Sequence, residues 1–186
     1  MHKGKSIMER TNFNIYLFKA LDAYPYNLEE AIEALNYALS YDAKNVQALY
    51  LMGKIYTEQL GEFETAKSCF SEALASGLDW PKIYPAYIRT LVLNEDYEEA
   101  QKLLDFAIVR KATDKGALYF YQGLLKEVQG EFKEAIKAYK QAKRHGLNNE
   151  FIRRVEEEIS RVKGKFGKKK SKNKKKRKEE KSKNRS

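Results

Sequence analysis

The feature that most constrains the fold of this chain is a pair of alanines that recurs four times at a nearly constant spacing. The first alanine of each pair is Ala31, Ala66, Ala100 or Ala135, so successive copies lie 35, 34 and 35 residues apart. A second alanine follows seven residues later in every copy, and a large apolar residue follows four residues after the first. Offsets of 0, 4 and 7 place these residues on one face of a helix. The repeat therefore predicts a stack of four similar helical copies.

Each copy also carries an apolar helical pattern upstream of its alanines, strongest in the second copy and weakest in the first. Two helices per copy leave an apolar face uncovered until a neighbouring copy stacks on it. Asn27 stands where it can cap the second helix of the first copy, with Glu30 three residues later as its capping-box partner. Each copy thus predicts a helix, a turn and a second helix.

The second copy resembles the tetratricopeptide repeat, a helix-turn-helix unit of 34 residues. The residues that carry the resemblance are Leu49, Met52, Gly53, Tyr56, Gly61, Phe63, Ala66, Phe70 and Ala73. The resemblance extends from about residue 11 to residue 149. The closing proline of the family pattern is missing from all four copies, the first and third copies lack the glycine of the first helix, and the second and fourth copies have one extra residue. The resemblance implies an all-α fold, a right-handed α-solenoid.

The copies predict the division of the chain. A flexible N-terminus covers residues 1–10, and four units follow at about 11–45, 46–80, 81–114 and 115–149. Residues 150–163 have an amphipathic pattern, with Phe151, Val155, Ile159 and Val162 on one face. We expect this segment to be a helix that caps the exposed end of the core, because solenoids need a polar outer face there.

The residues from 164 to the C-terminus form a separate basic tail. Residues 163–186 carry fourteen Lys and Arg against two Glu, whereas the preceding residues have a net charge of −2. We expect the tail to be disordered, because Phe166 is its one large apolar residue. Its density of positive charge favours contact with polyanions such as RNA, DNA, a ribosome surface or anionic lipid, and the alternative is a tail that only solubilises the chain or folds back on the acidic body. The residues assigned to this contact are Lys168, Lys169, Lys170, Lys172, Lys174, Lys175, Lys176, Arg177 and Lys178.

No sequence motif indicates catalysis, a metal or a cofactor. The chain has two histidines and one cysteine, Cys69, and it contains no HExxH, CxxC or glycine-rich phosphate loop. Cys69 lies between Ala66 and Phe70 on a packing helix, which favours a buried structural thiol over a reactive one. His145 is expected to interact with the end of a helix rather than to act in catalysis. We therefore expect neither an enzyme nor a bound cofactor, metal or small-molecule substrate.

The first helices of the units are expected to line a concave groove that binds a partner peptide. The residues predicted to face it are Tyr16, Tyr50, Lys54, Arg89, Phe120 and Leu124. Aromatic rings supply contact area at low entropic cost, and the two cations favour an acidic segment or a C-terminal carboxylate. The alternative for each ring is packing between units. The two-carboxylate clamp of chaperone-binding relatives is disfavoured, because Lys82 is the one residue that matches its pattern.

These observations predict a non-enzymatic adaptor that binds a protein partner in the groove and contacts polyanions through the tail. The alternative function is an RNA-, ribosome- or DNA-associated protein in which the tail is the primary binding element, and a third is a structural assembly subunit. No apolar segment resembles a signal peptide or a membrane span. The expected location is therefore the cytoplasm, or the nucleus if the source is eukaryotic.

Overall fold

The computed structural model describes the backbone of residues 7–76 and 80–183, and the side chains of residues 15–76 and 80–167. All regular structure in these ranges is helical. The helices are α1 (Ile7–Ala23), α2 (Leu28–Tyr41), α3 (Val46–Ile55), α4 (Phe63–Ala75), α5 (Ile83–Leu93), α6 (Tyr97–Val109), α7 (Lys115–Val128), α8 (Phe132–Arg144) and α9 (Asn149–Lys183). A single π-helical turn, Tyr56–Leu60, continues α3. Each predicted copy therefore contains two helices, and the predicted all-α helical-repeat class is confirmed.

The chain divides into two compact units, Met1–Asp96 and Tyr97–Ser186, which we call the N-terminal and C-terminal units. In the N-terminal unit α1 packs on α2 and α3 on α4, while contacts of α2 with α3 and of α4 with α5 join successive copies. In the C-terminal unit α6 contacts α7, α7 packs on α8, and α8 packs on α9. Asn27 accepts a hydrogen bond from the backbone of Glu30 at the start of α2, which confirms its predicted capping role.

The recurring alanines are buried as the sequence pattern predicts. All eight, and the large residues Leu35, Phe70, Leu104 and Tyr139 between them, have no exposed surface. A Cβ added at Gly53 would lie 2.8 Å from the ring of Phe70, and one added at Gly123 would lie 2.7 Å from the ring of Tyr139. The large residue of each second helix thus fills the space that the glycine leaves on the first helix, and the two backbones approach closely.

The π-helical turn absorbs the extra residue of the second copy. Gly53 and Gly61 are eight residues apart, whereas their counterparts Gly123 and Gly130 are seven apart. The Gly61 amide donates to the Tyr56 carbonyl, which closes a turn that is one residue wider than an α-helical turn. The insertion therefore stays inside the helix, and the alanines of α4 keep their register.

Two helix boundaries differ from the sequence prediction. α1 begins at Ile7, inside the stretch expected to be flexible, and α9 continues past residue 163 to Lys183, through most of the stretch expected to be disordered. The physical reason for the longer α9 is that Lys, Arg and Glu have good helix propensity and no proline interrupts the segment. The first turn beyond residue 163 also gains tertiary contacts, which are described below.

A residue with left-handed backbone follows the first helices of the second, third and fourth copies. Its φ is 70° at Gly61, 64° at Glu95 and 76° at Gly130. Glycine adopts this conformation without steric cost, whereas a Cβ makes it unfavourable by roughly 1–2 kcal/mol. The third copy therefore carries a strained residue at a position where the other two carry glycine.

We expect Glu95→Gly to raise the free energy of unfolding by about 1 kcal/mol, because it removes the steric penalty at φ 64°. Urea denaturation of the full chain measures the change. Glu98→Gly, an exposed position inside α6, is the matched control and should lower stability by a similar amount. A Glu95→Gly protein no more stable than the wild type would contradict the assignment of strain to this turn.

Candidate functional site

Tyr16, the first predicted groove residue, packs within its own copy. Its half-buried ring stacks on two tyrosines of α2, with ring centroids 5.1 Å apart for Tyr37 and 5.9 Å apart for Tyr41. Tyr37 and Tyr41 are themselves exposed. The three rings form an aromatic surface patch on the first copy.

Tyr50 and Phe120 occupy equivalent positions, three residues before Gly53 and Gly123. Tyr50 is half-buried, and its ring centroid lies 4.9 Å from that of Trp80, which precedes α5. Phe120 is 7% exposed and contacts Phe151 of α9 at 6.1 Å. Both rings thus pack near the start of the helix that follows their copy, α5 for Tyr50 and α9 for Phe120.

The structure therefore places Phe120 in the core instead of on an open groove. The ring of Tyr139 and the guanidinium group of Arg154 cover it further, at 5.5 and 5.0 Å from its ring centroid. Leu124, the other predicted groove residue of the C-terminal unit, is half-buried. Sequence spacing could not distinguish a groove from inter-copy packing at Phe120, because α9 covers the position.

Lys54 and Arg89 come together around one carboxylate, that of Glu58. Arg89 Nη1 lies 2.5 Å from Glu58 Oε1, and Lys54 Nζ lies 3.8 Å from Glu58 Oε2. Lys54 is on α3, Glu58 on the π-helical turn and Arg89 on α5, so two successive copies contribute to the contact. The structure thus brings the two predicted cations together and adds an acidic residue that the site prediction omitted.

Tyr24, in the turn between the two helices of the first copy, completes this group. Its hydroxyl donates to Glu58 Oε2 at 2.9 Å, and the Lys54 ammonium lies 5.4 Å from the centre of its ring. Burial, together with the hydrogen bond to Glu58, raises the pKa of the Tyr24 hydroxyl. We call Tyr24, Lys54, Glu58 and Arg89 the Glu58 cluster. The sequence signal for it was the four-residue spacing of Lys54 and Glu58, which places both on one face of a helix.

The Glu58 cluster has the charge and the donors to bind an anion. Its two cations and one carboxylate leave a net charge of +1. Arg89 uses one of its N–H donors on Glu58, and the Lys54 contact is an ion pair longer than a hydrogen bond. The side chains of Lys54, Glu58 and Arg89 are 28%, 27% and 35% exposed, so the cluster is partly shielded from water yet open at the surface.

A buried pair of threonines fixes the base of the Glu58 cluster. The hydroxyls of Thr57 and Thr90 are 2.7 Å apart, and Thr90 also donates to the Ala86 carbonyl at 3.1 Å. Because Thr90 has one hydroxyl hydrogen, Thr57 is the donor to Thr90. This contact ties the π-helical turn to α5 next to Glu58 and Arg89, and it limits how far the two can separate.

A second polar cluster lies in the C-terminal unit around the buried carboxylate of Glu127. Arg161 of α9 binds it with two hydrogen bonds, of 2.5 and 2.6 Å, and Lys165 adds one of 2.7 Å. Burial raises the pKa of Glu127, but the hydrogen bonds and charges of Arg161 and Lys165 outweigh it and hold that pKa below its ordinary value. The Tyr139 hydroxyl lies 3.5 Å from the same carboxylate, and burial raises the pKa of this hydroxyl.

This Glu127 cluster fastens α9 to α7 and shows how the helix covers the end of the core. Val155, Ile159 and Val162 are buried as their pattern predicts. Beyond the predicted end at residue 163, Lys165 reaches Glu127, and the ring centroid of Phe166 lies 6.5 Å from that of Phe132 on α8. The anchored part of α9 thus extends at least to Phe166.

Cys69 is half-buried on α4, and burial raises the pKa of its thiol to about 11. At neutral pH the thiol is therefore protonated and weakly nucleophilic, which fits the structural thiol favoured by the sequence. His145 stacks on Tyr119, with ring centroids 5.4 Å apart. Among the described residues, no group of three or more His, Cys, Asp and Glu side chains could hold a metal ion.

The basic side chains assigned to polyanion contact, from Lys168 to Lys178, lie outside the described side chains, although their backbone belongs to α9. Over the described part of the chain, no helix is both long and apolar enough to cross a bilayer.

Comparison with family models identifies the repeat. Models described as tetratricopeptide repeat match residues 46–76 and 88–147. The first match covers α3 and α4, and the second begins within α5 and extends through α8. A comparison with curated protein sequences gives no match.

Several solved structures share the fold at low sequence identity. PilW, described as a widely conserved type IV pilus biogenesis factor, is 15% identical with a TM-score of 0.71, over 84% of this chain and 73% of that one. YrrB, described as a TPR protein with an unusual peptide-binding site, is 24% identical with a TM-score of 0.60, over 75% and 72%. MamA from Desulfovibrio magneticus RS-1 is 17% identical with a TM-score of 0.61, over 82% and 94%. At these identities the likeness shows a common fold.

We expect Glu127→Gln to lower the free energy of unfolding by about 2 kcal/mol at neutral pH, because it removes the charge that pairs with Arg161 and Lys165. Since the folded-state pKa of Glu127 is depressed, its contribution is complete above the unfolded-state pKa of about 4.3. The difference in free energy of unfolding between wild type and variant should shrink as the pH falls from that value through the folded-state pKa of Glu127.

Urea denaturation of both proteins from neutral to acidic pH measures that difference. Glu157→Gln, at an exposed position within α9, is the control and should leave stability nearly unchanged. A Glu127→Gln deficit that stays constant down to the lowest pH would show that the carboxylate charge is not what fastens α9.

Proposed function

Because the chain is a tetratricopeptide-repeat protein, we propose that it is a non-enzymatic adaptor that binds an acidic segment of a partner protein at the Glu58 cluster. The observation that carries the proposal is the convergence of Lys54 and Arg89, from two successive copies, on one partly exposed carboxylate. An acidic side chain or a C-terminal carboxylate of the partner binds the donors of these cations that face away from Glu58.

The surroundings of the cluster support this function. Tetratricopeptide repeats form protein–protein interaction modules, and YrrB, which shares the fold, has a peptide-binding site. Tyr24, in the turn after α1, and Tyr50, on α3 with Lys54, have half-buried rings, and rings of this kind supply contact area for a bound peptide. The Thr57–Thr90 bond holds the two cation-bearing helices together before the ligand arrives, which lowers the entropic cost of binding.

A second function, binding of nucleic acid by the basic end of α9, is favoured by a separate observation. The tail continues a helix that is fastened to the body at Lys165 and Phe166. Residues 168–186 carry twelve Lys and Arg against two Glu, a net charge of +10. They include no large apolar residue that could insert into a bilayer, so phosphate backbones are the polyanion that this segment suits best.

For the adaptor function, we expect Lys54→Glu combined with Arg89→Glu to abolish recovery of partner proteins in affinity purification, because an acidic segment then meets three carboxylates. Lys54→Gln with Arg89→Gln, which avoids added repulsion around Glu58, should reduce recovery at least tenfold. Circular dichroism confirms that helicity is kept. The matched control is Lys44→Glu with Lys102→Glu, two exposed lysines outside the cluster. Partners recovered equally by all four proteins would refute the proposal.

For the nucleic-acid function, we expect deletion of residues 168–186 to abolish binding to single-stranded RNA. This deletion spares Lys165 and Phe166, so the folded body remains intact. The affinity of the full chain should fall steeply as the salt concentration rises. In a plot of log affinity against log salt concentration, each phosphate contacted should contribute a slope of about −0.7. A shuffled tail of the same composition should bind equally well, because the interaction depends on charge density. RNA affinity that survives the deletion would exclude the tail as the binding element.

A further inference from the structure

The proposal made here rests on the adaptor function above and specifies its ligand. We propose that Glu58 is the specificity-determining residue of the Glu58 cluster, and that it limits the group bound there to a single negative charge. The preferred ligand group is then a single carboxylate, and a dianionic group such as a phosphorylated side chain is disfavoured.

Glu58 lies in the π-helical turn, Tyr56–Leu60, which holds the inserted residue of the second copy. It follows Lys54 by four residues on the same side of the helix, and from this turn it also reaches Arg89 and Tyr24. Isolated π-helical turns are rare and occur frequently at functional sites. Glu58 is thus an acidic residue between two cations that would otherwise face a ligand together.

The charges at the cluster determine which anion fits. With Glu58 ionised, one incoming carboxylate brings the net charge of the cluster from +1 to zero. A dianion would bring it to −1 and would lie close to the Glu58 carboxylate in a partly shielded site, where like charges repel strongly. Because Glu58 already neutralises one of the two positive charges, the site favours monoanions over dianions.

The hydrogen bonds of the cluster act in the same direction. Glu58 Oε1 accepts from Arg89, and Oε2 accepts from the Tyr24 hydroxyl. The Tyr24 hydroxyl hydrogen is therefore directed at Glu58 and does not serve an incoming anion. The donors left for a ligand belong to Lys54 and Arg89, whose two charges are already reduced by one through Glu58.

The experiment compares two short blocked peptides with an identical uncharged background, one with a central glutamate and one with a central phosphoserine. Each peptide is titrated into the full-length protein, and NMR shifts of the backbone amides of residues 54–60 and 83–93 report binding at the cluster. The wild type is expected to bind the glutamate peptide more tightly than the phosphoserine peptide. Glu58→Gln is expected to reverse this order, with the phosphoserine peptide gaining at least about tenfold in affinity.

A control variant makes the outcome specific. Glu33→Gln, an exposed change on α2, should leave the preference of the wild type intact.

The outcomes separate this proposal from the adaptor function. If the wild type binds the glutamate peptide at the cluster and Glu58→Gln leaves the ratio of the two affinities unchanged, the charge limit is refuted while the acidic-ligand site stands. If neither peptide shifts the cluster amides in the wild type or in Glu58→Gln, the acidic-ligand site itself is refuted, and the charge limit with it.

Discussion

The second and fourth copies, which carry a glycine on their first helix, depend on one contact: a large ring fills the space above that glycine. Phe70 fills the space above Gly53, and Tyr139 fills the space above Gly123. Because the rings have no exposed surface, each fit draws two helices together and orients the first of them toward its neighbours. Lys54 of the Glu58 cluster directly follows Gly53 in the chain, so this packing positions the helix that carries it.

Much of the fold could be predicted from the sequence because it is periodic. The alanines near Phe70 and Tyr139 recur in phase, and periodicity of that kind reports burial on one face of a helix. The end of α9 could not be predicted in the same way. Its composition beyond residue 163 satisfies the signature of disorder and the propensity for helix equally well, and the contacts of Lys165 and Phe166 are visible only once α7 and α8 are in place.

The candidate site was predicted in part, for a related reason. Lys54 and Arg89 could be found because they occupy the same position in successive copies. Glu58 lies four residues after Lys54 and shares its helix face, but spacing alone does not show that it pairs with Arg89. Tyr24 could not be found, because it lies beyond the end of α1, outside the repeated pattern. Phe120 followed the repeat and was nevertheless buried, because the helix that covers it lies outside the repeated pattern. Residues that depart from the period thus decide what the periodic scaffold exposes.

The fastening of α9 has a mechanical consequence. When an object bound to the distal end of this helix pulls on it, the load reaches the body first at Phe166 and Lys165, and then at Arg161. Two of these three side chains end on the Glu127 carboxylate, so α7 takes part of the load through a single acidic group. Arg161 and Lys165 are themselves partly exposed, so their ion pairs with Glu127 weaken as salt rises, whereas the ring contact of Phe166 with Phe132 does not. The strength of this attachment under tension therefore depends in part on the ionic environment at the edge of α7.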